Sequence, residues 1–354
     1  MTLPFIIIRA DASARIGTGH IMRTLALIHA WQEIGGDALL VAAEIPDLLK
    51  QRLSKEGIST IGIDFQPGSE ADARQLCKLS EDNKASWIIV DGYQFGSDYQ
   101  KYIKEAGNRV LFVDDYGHAE HYYADIVLNQ NIYANNLMYP NIEAYTRLLL
   151  GTRYSLLRRE FWSWQNSQRQ FPETASKILI TLGGSDQDNV TGNIIDAFNL
   201  VSKFDLEIKV IVGGANPNIC ELRDKVNKSP HKIRLIENTT KMPELMAWAD
   251  LAISAGGSTV WELCLLGTPS LIFILADNQK NIAKGLHKAG AAVHFDSHDN
   301  FDVQYFIEQV RYLLEDMILR ERISEIGQNM VDGRGAFRTV QILKGKPCES
   351  SCSN

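Results

Sequence analysis

The sequence predicts an α/β protein built from two doubly wound, Rossmann-like domains facing a cleft, and three observations support this. First, 354 residues exceed what one ordinary core holds and suit two domains. Second, short runs rich in Val and Ile alternate with longer amphipathic stretches, the pattern of βαβ units around a parallel sheet. Third, the alternation occurs twice, on either side of a segment at 153–174 that is rich in Trp, Gln, Arg and Ser.

Taken in order, the first half carries strand patterns near 5–9, 38–43, 58–63, 87–90, 110–113 and 126–128. A helix is expected over 19–34, where Ile21, Leu25, Ile28 and Ala30 mark one apolar stripe. The second half carries strand patterns near 177–182, 208–212, 233–236, 251–253 and 270–274. The expected domains are 1–152 and 175–330. Residues 153–174 are expected as a linker and 331–354 as a C-terminal helix with a tail. In doubly wound sheets ligands collect at the carboxyl ends of strands, so the loops leaving those strands are where chemistry is sought.

Composition removes several function classes. A net charge of −7 argues against a nucleic-acid partner, which needs a dense positive footprint. No apolar run approaches the roughly 20 residues that span a bilayer. With no leader evident at Met1–Arg9, a cytoplasmic protein without a membrane partner is expected. The cysteines Cys77, Cys220, Cys264, Cys348 and Cys352 form no C-x-x-C pair, so neither a disulfide framework nor a zinc cluster is indicated. Cys264 lies in an apolar run and reads as a core residue. No cofactor and no metal is expected, and a monomer is.

Three glycine-bearing strand exits stand out. In the first, the run from Arg9 to Arg23 includes Gly17-Thr18-Gly19-His20 at a helix start, where bare backbone amides favour an anion. His20 there is a candidate base, or a histidine that only caps the helix. In the second, Gly183-Gly184-Ser185-Asp186 ends a buried strand, either as a phosphate or sugar loop or as a turn with Asp186 or Asp188 as the helix N-cap. The third is Gly256-Gly257-Ser258-Thr259-Val260-Trp261-Glu262, suited to cradle a diphosphate, with Glu262 one turn on and placed for ribose hydroxyls. Capping explains Ser258 but not Glu262. Asp277-Asn278-Gln279 follows a later strand and suits sugar hydroxyls, although Asp277 also reads as an N-cap. Asp91-Gly-Tyr93 and Asp114-Asp115-Tyr116-Gly-His118 end two strands. Tyrosines there can stack on a pyranose, and the paired aspartates fit a metal site, a base or a salt-bridged loop. His29, His231, His287, His294 and His298 show no partner spacing.

Together these blocks, with Leu128-Asn129-Gln130-Asn131 and the segment 253–279, resemble the UDP-2,4-diacetamido-2,4,6-trideoxy-β-L-altropyranose hydrolases of pseudaminic acid biosynthesis. That family is related to glycosyltransferases of the GT-B fold. The resemblance covers about residues 5–280, and it is the combination of the Gly-Thr-Gly-His and Gly-Gly-Ser-Thr-Val-Trp-Glu blocks that makes it specific. It implies His20 as general base, flanked by Gly17 and Gly19 and followed by Arg23 among the substrate-binding residues. Tyr93 would stack on the sugar and Asn278 would orient it, between Asp277 and Gln279. Gly257, Ser258, Thr259 and Glu262 would form the UDP-binding helix start, while Gly183, Gly184 and Ser185 of the second strand exit are counted among the candidate substrate-binding residues.

The reaction implied is hydrolysis of the UDP-sugar to UDP and free sugar, with water attacking the anomeric carbon and inverting it. Three competitors share the loops. A glycosyltransferase would replace water with an acceptor. A hydrolysing 2-epimerase would use Asp114 or Asp115 as bases. A sensor would bind without turnover.

Overall fold

The computed structural model describes residues 4–13, 16–183, 186–201, 203–213, 216–296 and 301–345. The chain divides into two compact units, Met1–Arg159 with Gly333–Asn354, and Glu160–Asp332.

The first unit runs β1 (Phe5–Ala10), α1 (Gly19–Glu33), β2 (Asp37–Ala42), α2 (Asp47–Lys55), β3 (Ser59–Gly62), α3 (Glu70–Asp82), β4 (Trp87–Asp91), α4 (Ser97–Glu105), β5 (Val110–Val113), β6 (Ile126–Asn129) and β7 (Arg147–Leu150). Its seven-stranded sheet has the order β3-β2-β1-β4-β5-β6-β7, with every pair parallel. Strands covered on both faces need unbroken apolar runs, and β1 and β4 supply them with Ile6, Ile7, Ile8, Ile88, Ile89 and Val90 fully buried.

Arg9 breaks that run. Its buried guanidinium donates from Nε and Nη2 to Asp72 at 3.1 and 3.0 Å and from Nη1 to Asp11 at 2.6 Å. An unpaired charge there would be severely destabilising. Asp11 also accepts the Ala43 N–H and the Gln94 side-chain amide, so this network ties together the carboxyl ends of β1, β2 and β4.

The second unit runs β8 (Lys177–Thr181), α5 (Val190–Phe198), β9 (Glu207–Val212), α6 (Ile219–Lys228), β10 (Lys232–Glu237), α7 (Met242–Trp248), β11 (Leu251–Ala255), α8 (Thr259–Leu266), β12 (Ser270–Ile274), α9 (Lys280–Ala289), β13 (Val293–Asp296), α10 (Val303–Glu315) and α11 (Met317–Met330). Its six-stranded parallel sheet has the order β10-β9-β8-β11-β12-β13. Cys264 is buried in this unit, and burial pushes its thiol up to about 12. Cys348 and Cys352 lie outside the described residues.

The last helix, α12 (Gly335–Leu343), belongs to the first unit and packs against α1. At its start a Cβ on Gly335 would lie 2.3 Å from the Ser155 carbonyl oxygen, so no larger residue fits. At its end the Trp87 indole donates to the Leu343 carbonyl at 2.9 Å. Within 153–174, Tyr154, Leu156, Leu157 and Phe161 are buried.

Both sheets reverse direction at one place, between β1 and β4 and between β8 and β11. Such switch points open a crevice at the strand carboxyl ends. Two strands differ from the sequence expectation: β7 and β13 were not foreseen. Both are four-residue edge strands whose side chains are mostly half-exposed, so neither carries the apolar run that marks a central strand.

Candidate functional site

The first switch point is built around His20, the second residue of α1. The loop leaving β1 closes through reciprocal backbone bonds between Ser13 and Gly17, and Gly17 takes φ +76°, a conformation that favours glycine. Gly19 is different: its backbone is ordinary and a Cβ would meet nothing within 4 Å. The fold does not require glycine there, but close approach of a ligand to the helix start would. The N-cap residue Thr18 makes no side-chain capping bond.

His20 is buried, and its Nδ1 lies 2.7 Å from Oδ1 of Asp91, the last residue of β4. The pair therefore spans the β1/β4 reversal. One turn along α1, Arg23 grips the same carboxylate from Nε and Nη2, both at 2.6 Å, and reaches Asp115 from Nη1 at 2.7 Å. Burial alone would raise the Asp91 pKa, but Arg23 and His20 outweigh it and hold the carboxyl below its ordinary value. The network thus assigns the ring proton to Nδ1, donating to Asp91. Arg23 Nη2, 3.2 Å from that nitrogen, is itself a donor with Asp91 as its acceptor. Among the described residues Nε2 has no hydrogen-bond partner, which leaves a basic lone pair. Sequence reasoning listed Asp91 as a strand-end residue without pairing it to His20, from which 71 positions separate it.

Aromatic rings flank the imidazole. Tyr93 meets His20 edge-on at 4.9 Å between centroids, and Tyr116 lies 5.2 Å beyond Tyr93. Tyr93 is 38% and Tyr116 47% exposed, so both present ring surface that a pyranose can cover. The Tyr93 hydroxyl donates to Asp115 Oδ2 at 2.8 Å. Burial works to raise the Asp115 pKa, but Arg23 and the Tyr93 hydroxyl bring it well below the carboxylate range. Asp114 is likewise kept ionised, because His118 outweighs its burial. Of the readings open for this aspartate pair, the described geometry is a salt-bridged loop.

In the second unit the two glycine loops differ. At α5 the N-cap is Asn189, whose side chain accepts from Gly192 N, and neither Asp186 nor Asp188 takes that position. Asp186 instead accepts the Val190 and Thr191 N–H groups at 2.9 Å each. The helix start after Gly183 is therefore closed by its own side chains, while Gly184 and Ser185 lie outside the described residues. At α8 the N-cap Ser258 makes no side-chain capping bond, so capping does not account for it. A Cβ on Gly257 would meet nothing within 4 Å, as at Gly19. Gly256, by contrast, is fixed by packing, since its Cβ would touch Gln279 at 3.0 Å. Thr259 opens the helix, and Glu262 is buried in its first turn beside Trp261. The Val260 and Trp261 N–H groups bond back to the Gly257 and Ser258 carbonyls at 3.2 and 3.1 Å, so the backbone of 257–259 is what this uncapped helix start presents.

The 277–279 segment is a 3-10 turn with Ala276 as its N-cap, so Asp277 is not a cap; it pairs with Lys280 at 2.8 Å. Asn278 is exposed. Gln279 Oε1 accepts the Leu275 N–H at 3.0 Å, holding this turn beside Gly256. The remaining histidines divide: His29 pairs with Glu56 and His121 with Glu143, His231 bonds the Phe198 carbonyl, His287 and His294 contact each other, and His298 lies outside the described residues.

Residues 178–321 match the glycosyltransferase family 28 C-terminal domain. The chain is 27% identical to the UDP-2,4-diacetamido-2,4,6-trideoxy-beta-L-altropyranose hydrolase of Campylobacter jejuni, over 82% of this chain and 98% of that protein. It is also 27% identical to the uncharacterized protein MJ1062 of Methanocaldococcus jannaschii, over 78% of this chain, and the match spans 56% of the length of that protein. Among solved structures, MurG of Acinetobacter baumannii superposes with a TM-score of 0.65 at 16% identity, covering 97% of this chain and 100% of that one. The similarity to the hydrolase family read from the motifs is shown, and the two parallel-sheet α/β units are of the GT-B type. No helix among the described residues is long and apolar enough to cross a membrane.

Proposed function

We propose that the chain hydrolyses a UDP-linked diacetamido-trideoxyhexose at its anomeric carbon, releasing UDP and the free sugar. The observation that carries this is the His20–Asp91 pair. With Nδ1–H held by the carboxylate, Nε2 accepts a proton from water. The hydroxide equivalent attacks the anomeric carbon as the bond to the diphosphate oxygen breaks, giving an oxocarbenium-like transition state and an inverted product. The uncapped start of α8, with Gly257, Ser258 and Thr259, supplies amides and hydroxyls for the charge growing on the leaving diphosphate. Because diphosphate leaves readily, no second, protonated carboxyl is needed. Glu262 is assigned to the ribose, Tyr93 to the sugar face and Asn278 to substrate orientation. Arg23, with carboxylates on both sides, serves as a strut for the base.

A second reading is favoured by the family 28 match: a glycosyltransferase using the same donor with an acceptor in place of water. Incubation with a panel of UDP-sugars in ¹⁸O-water separates the two. Hydrolysis is expected to release UDP without any acceptor and to label the anomeric hydroxyl. UDP release that requires an added sugar or lipid acceptor would replace the hydrolase reading with the transferase.

A further inference from the structure

The proposed base and the proposed sugar platform are joined through one residue. Asp115, in the loop after β5, receives Arg23 Nη1 at 2.7 Å on Oδ1 and the Tyr93 hydroxyl at 2.8 Å on Oδ2. Its own position is fixed independently. The Asn131 side chain donates to Oδ1 at 3.0 Å, while the Asp115 carbonyl accepts from Asn129 at 2.8 Å and from the Tyr133 hydroxyl at 3.0 Å. Asp115 therefore does not float with its ligands. It is a fixed post from which one oxygen reaches the strut of the base and the other the rim of the sugar-stacking ring.

We propose that Asp115 is a positioning residue that holds His20, through Arg23 and Asp91, and Tyr93 from one fixed post, so that the base and the sugar platform are set in register with each other. The inference rests on the reading of His20 as general base. A rigid post of this kind fixes Arg23, Arg23 fixes Asp91, and Asp91 fixes the imidazole. On the other arm it sets the tilt of Tyr93 against His20. The arrangement also has an electrostatic consequence. Among the described residues, the charged groups around His20 are Asp91 from β4, Arg23 from α1 and Asp115 from the loop after β5. Removing the Asp115 charge leaves Arg23 shared with one carboxylate fewer, which disfavours a proton on His20.

Steady-state hydrolysis of UDP-2,4-diacetamido-2,4,6-trideoxy-β-L-altrose across pH 5–9 tests this, with UDP affinity measured by calorimetry. Asp115→Asn is expected to lower kcat on the order of 10- to 100-fold through misalignment. It is also expected to raise KM roughly fivefold through the lost tyrosine bond. The acid limb of kcat/KM is expected to move to lower pH by roughly half a unit to one unit. Tyr93→Phe, which keeps the ring and removes only the hydroxyl, is expected to raise KM alone, and the double variant to add nothing further to KM. Asp115→Glu restores the charge and is expected to return the acid limb to its place while KM stays raised, and it also serves if the Asn variant folds poorly. A kcat loss with an unmoved acid limb, or additive KM effects, would overturn the coupling while leaving the base reading intact. If His20→Asn turns over normally, the base reading falls, and the coupling with it.

Discussion

Two histidine–aspartate pairs stand at neighbouring strand ends in the first unit, and they differ in what the second ring nitrogen meets. At the end of β4, His20 gives Nδ1–H to Asp91 and keeps Nε2 without a partner among the described residues. At the end of β5, His118 gives Nδ1–H to Asp114 at 2.8 Å, and its Nε2 lies 3.3 Å from the Phe95 carbonyl. A ring facing two acceptors favours the imidazolium. Burial opposes that charge, but Asp114 outweighs it and raises the His118 pKa above the ordinary histidine value. The same residue pair thus leaves one ring nitrogen open among the described residues in one place and faces both nitrogens with acceptors in the other. What decides is whether the second nitrogen is spent.

The largest expected effect separates the two directly. His20→Asn is expected to reduce hydrolysis on the order of 10²- to 10⁴-fold with UDP affinity unchanged, since a general base acts in the transition state. Asp91→Asn is expected to follow it, with a loss on the order of 10²-fold or more as the ring loses its tautomer and its orientation. His118→Asn, assayed beside them, is expected to lose less than about tenfold. Equal losses for His20 and His118 in kcat at saturating substrate would erase the distinction.

This distinction was only partly legible in the sequence. Gly17-Thr18-Gly19-His20 and Gly256-Gly257-Ser258-Thr259 announce themselves because a strand-to-helix turn with bare amides needs glycine locally. Gly19 and Gly257 prove to be the two positions in these loops that internal packing does not explain. The pairing of His20 with Asp91 is not local. It follows from β4 lying beside β1, a fact of sheet order that spacing along the chain does not encode. After Gly183 the sequence leaves a ligand loop and a plain turn both open, and there Asp186 and Asn189 turn back to accept N–H groups of the helix start. The edge strands β7 and β13 escaped because a half-exposed four-residue strand has too few core-facing positions to show a pattern.

A smaller effect sharpens the comparison through stability. Because the folded His118 pKa is raised, its contribution is fully present below the unfolded value near 6.5 and is lost as pH rises through the folded value. His118→Asn is therefore expected to cost about 2 kcal/mol at pH 6, the scale of a charged hydrogen bond, and less at pH 9. Chemical denaturation at the two pH values measures it. A cost that grows toward pH 9 would mean the ring is neutral in the folded protein.

The smallest expected effect comes from a third pair on the same helix as His20. His29 Nε2 lies 2.8 Å from Glu56 Oε2, and Arg52 donates to the other oxygen at 2.7 Å. The His29 hydrogen bond, working against burial and helped by Arg52, lowers the Glu56 pKa from 4.5 to about 2. A depressed carboxyl stabilises above its unfolded pKa and loses that contribution as pH falls through the folded value. Glu56→Gln is accordingly expected to cost about 1 kcal/mol at pH 7, discounted for its partial exposure, and almost nothing near pH 2. Turnover is expected to be unchanged, because this pair ties α1 to α2 on the far side of the helix from Asp91. A rate loss in Glu56→Gln comparable to that in Asp91→Asn would show that α1 as a whole, rather than the hydrogen bond at Nδ1, sets the position of the His20 ring.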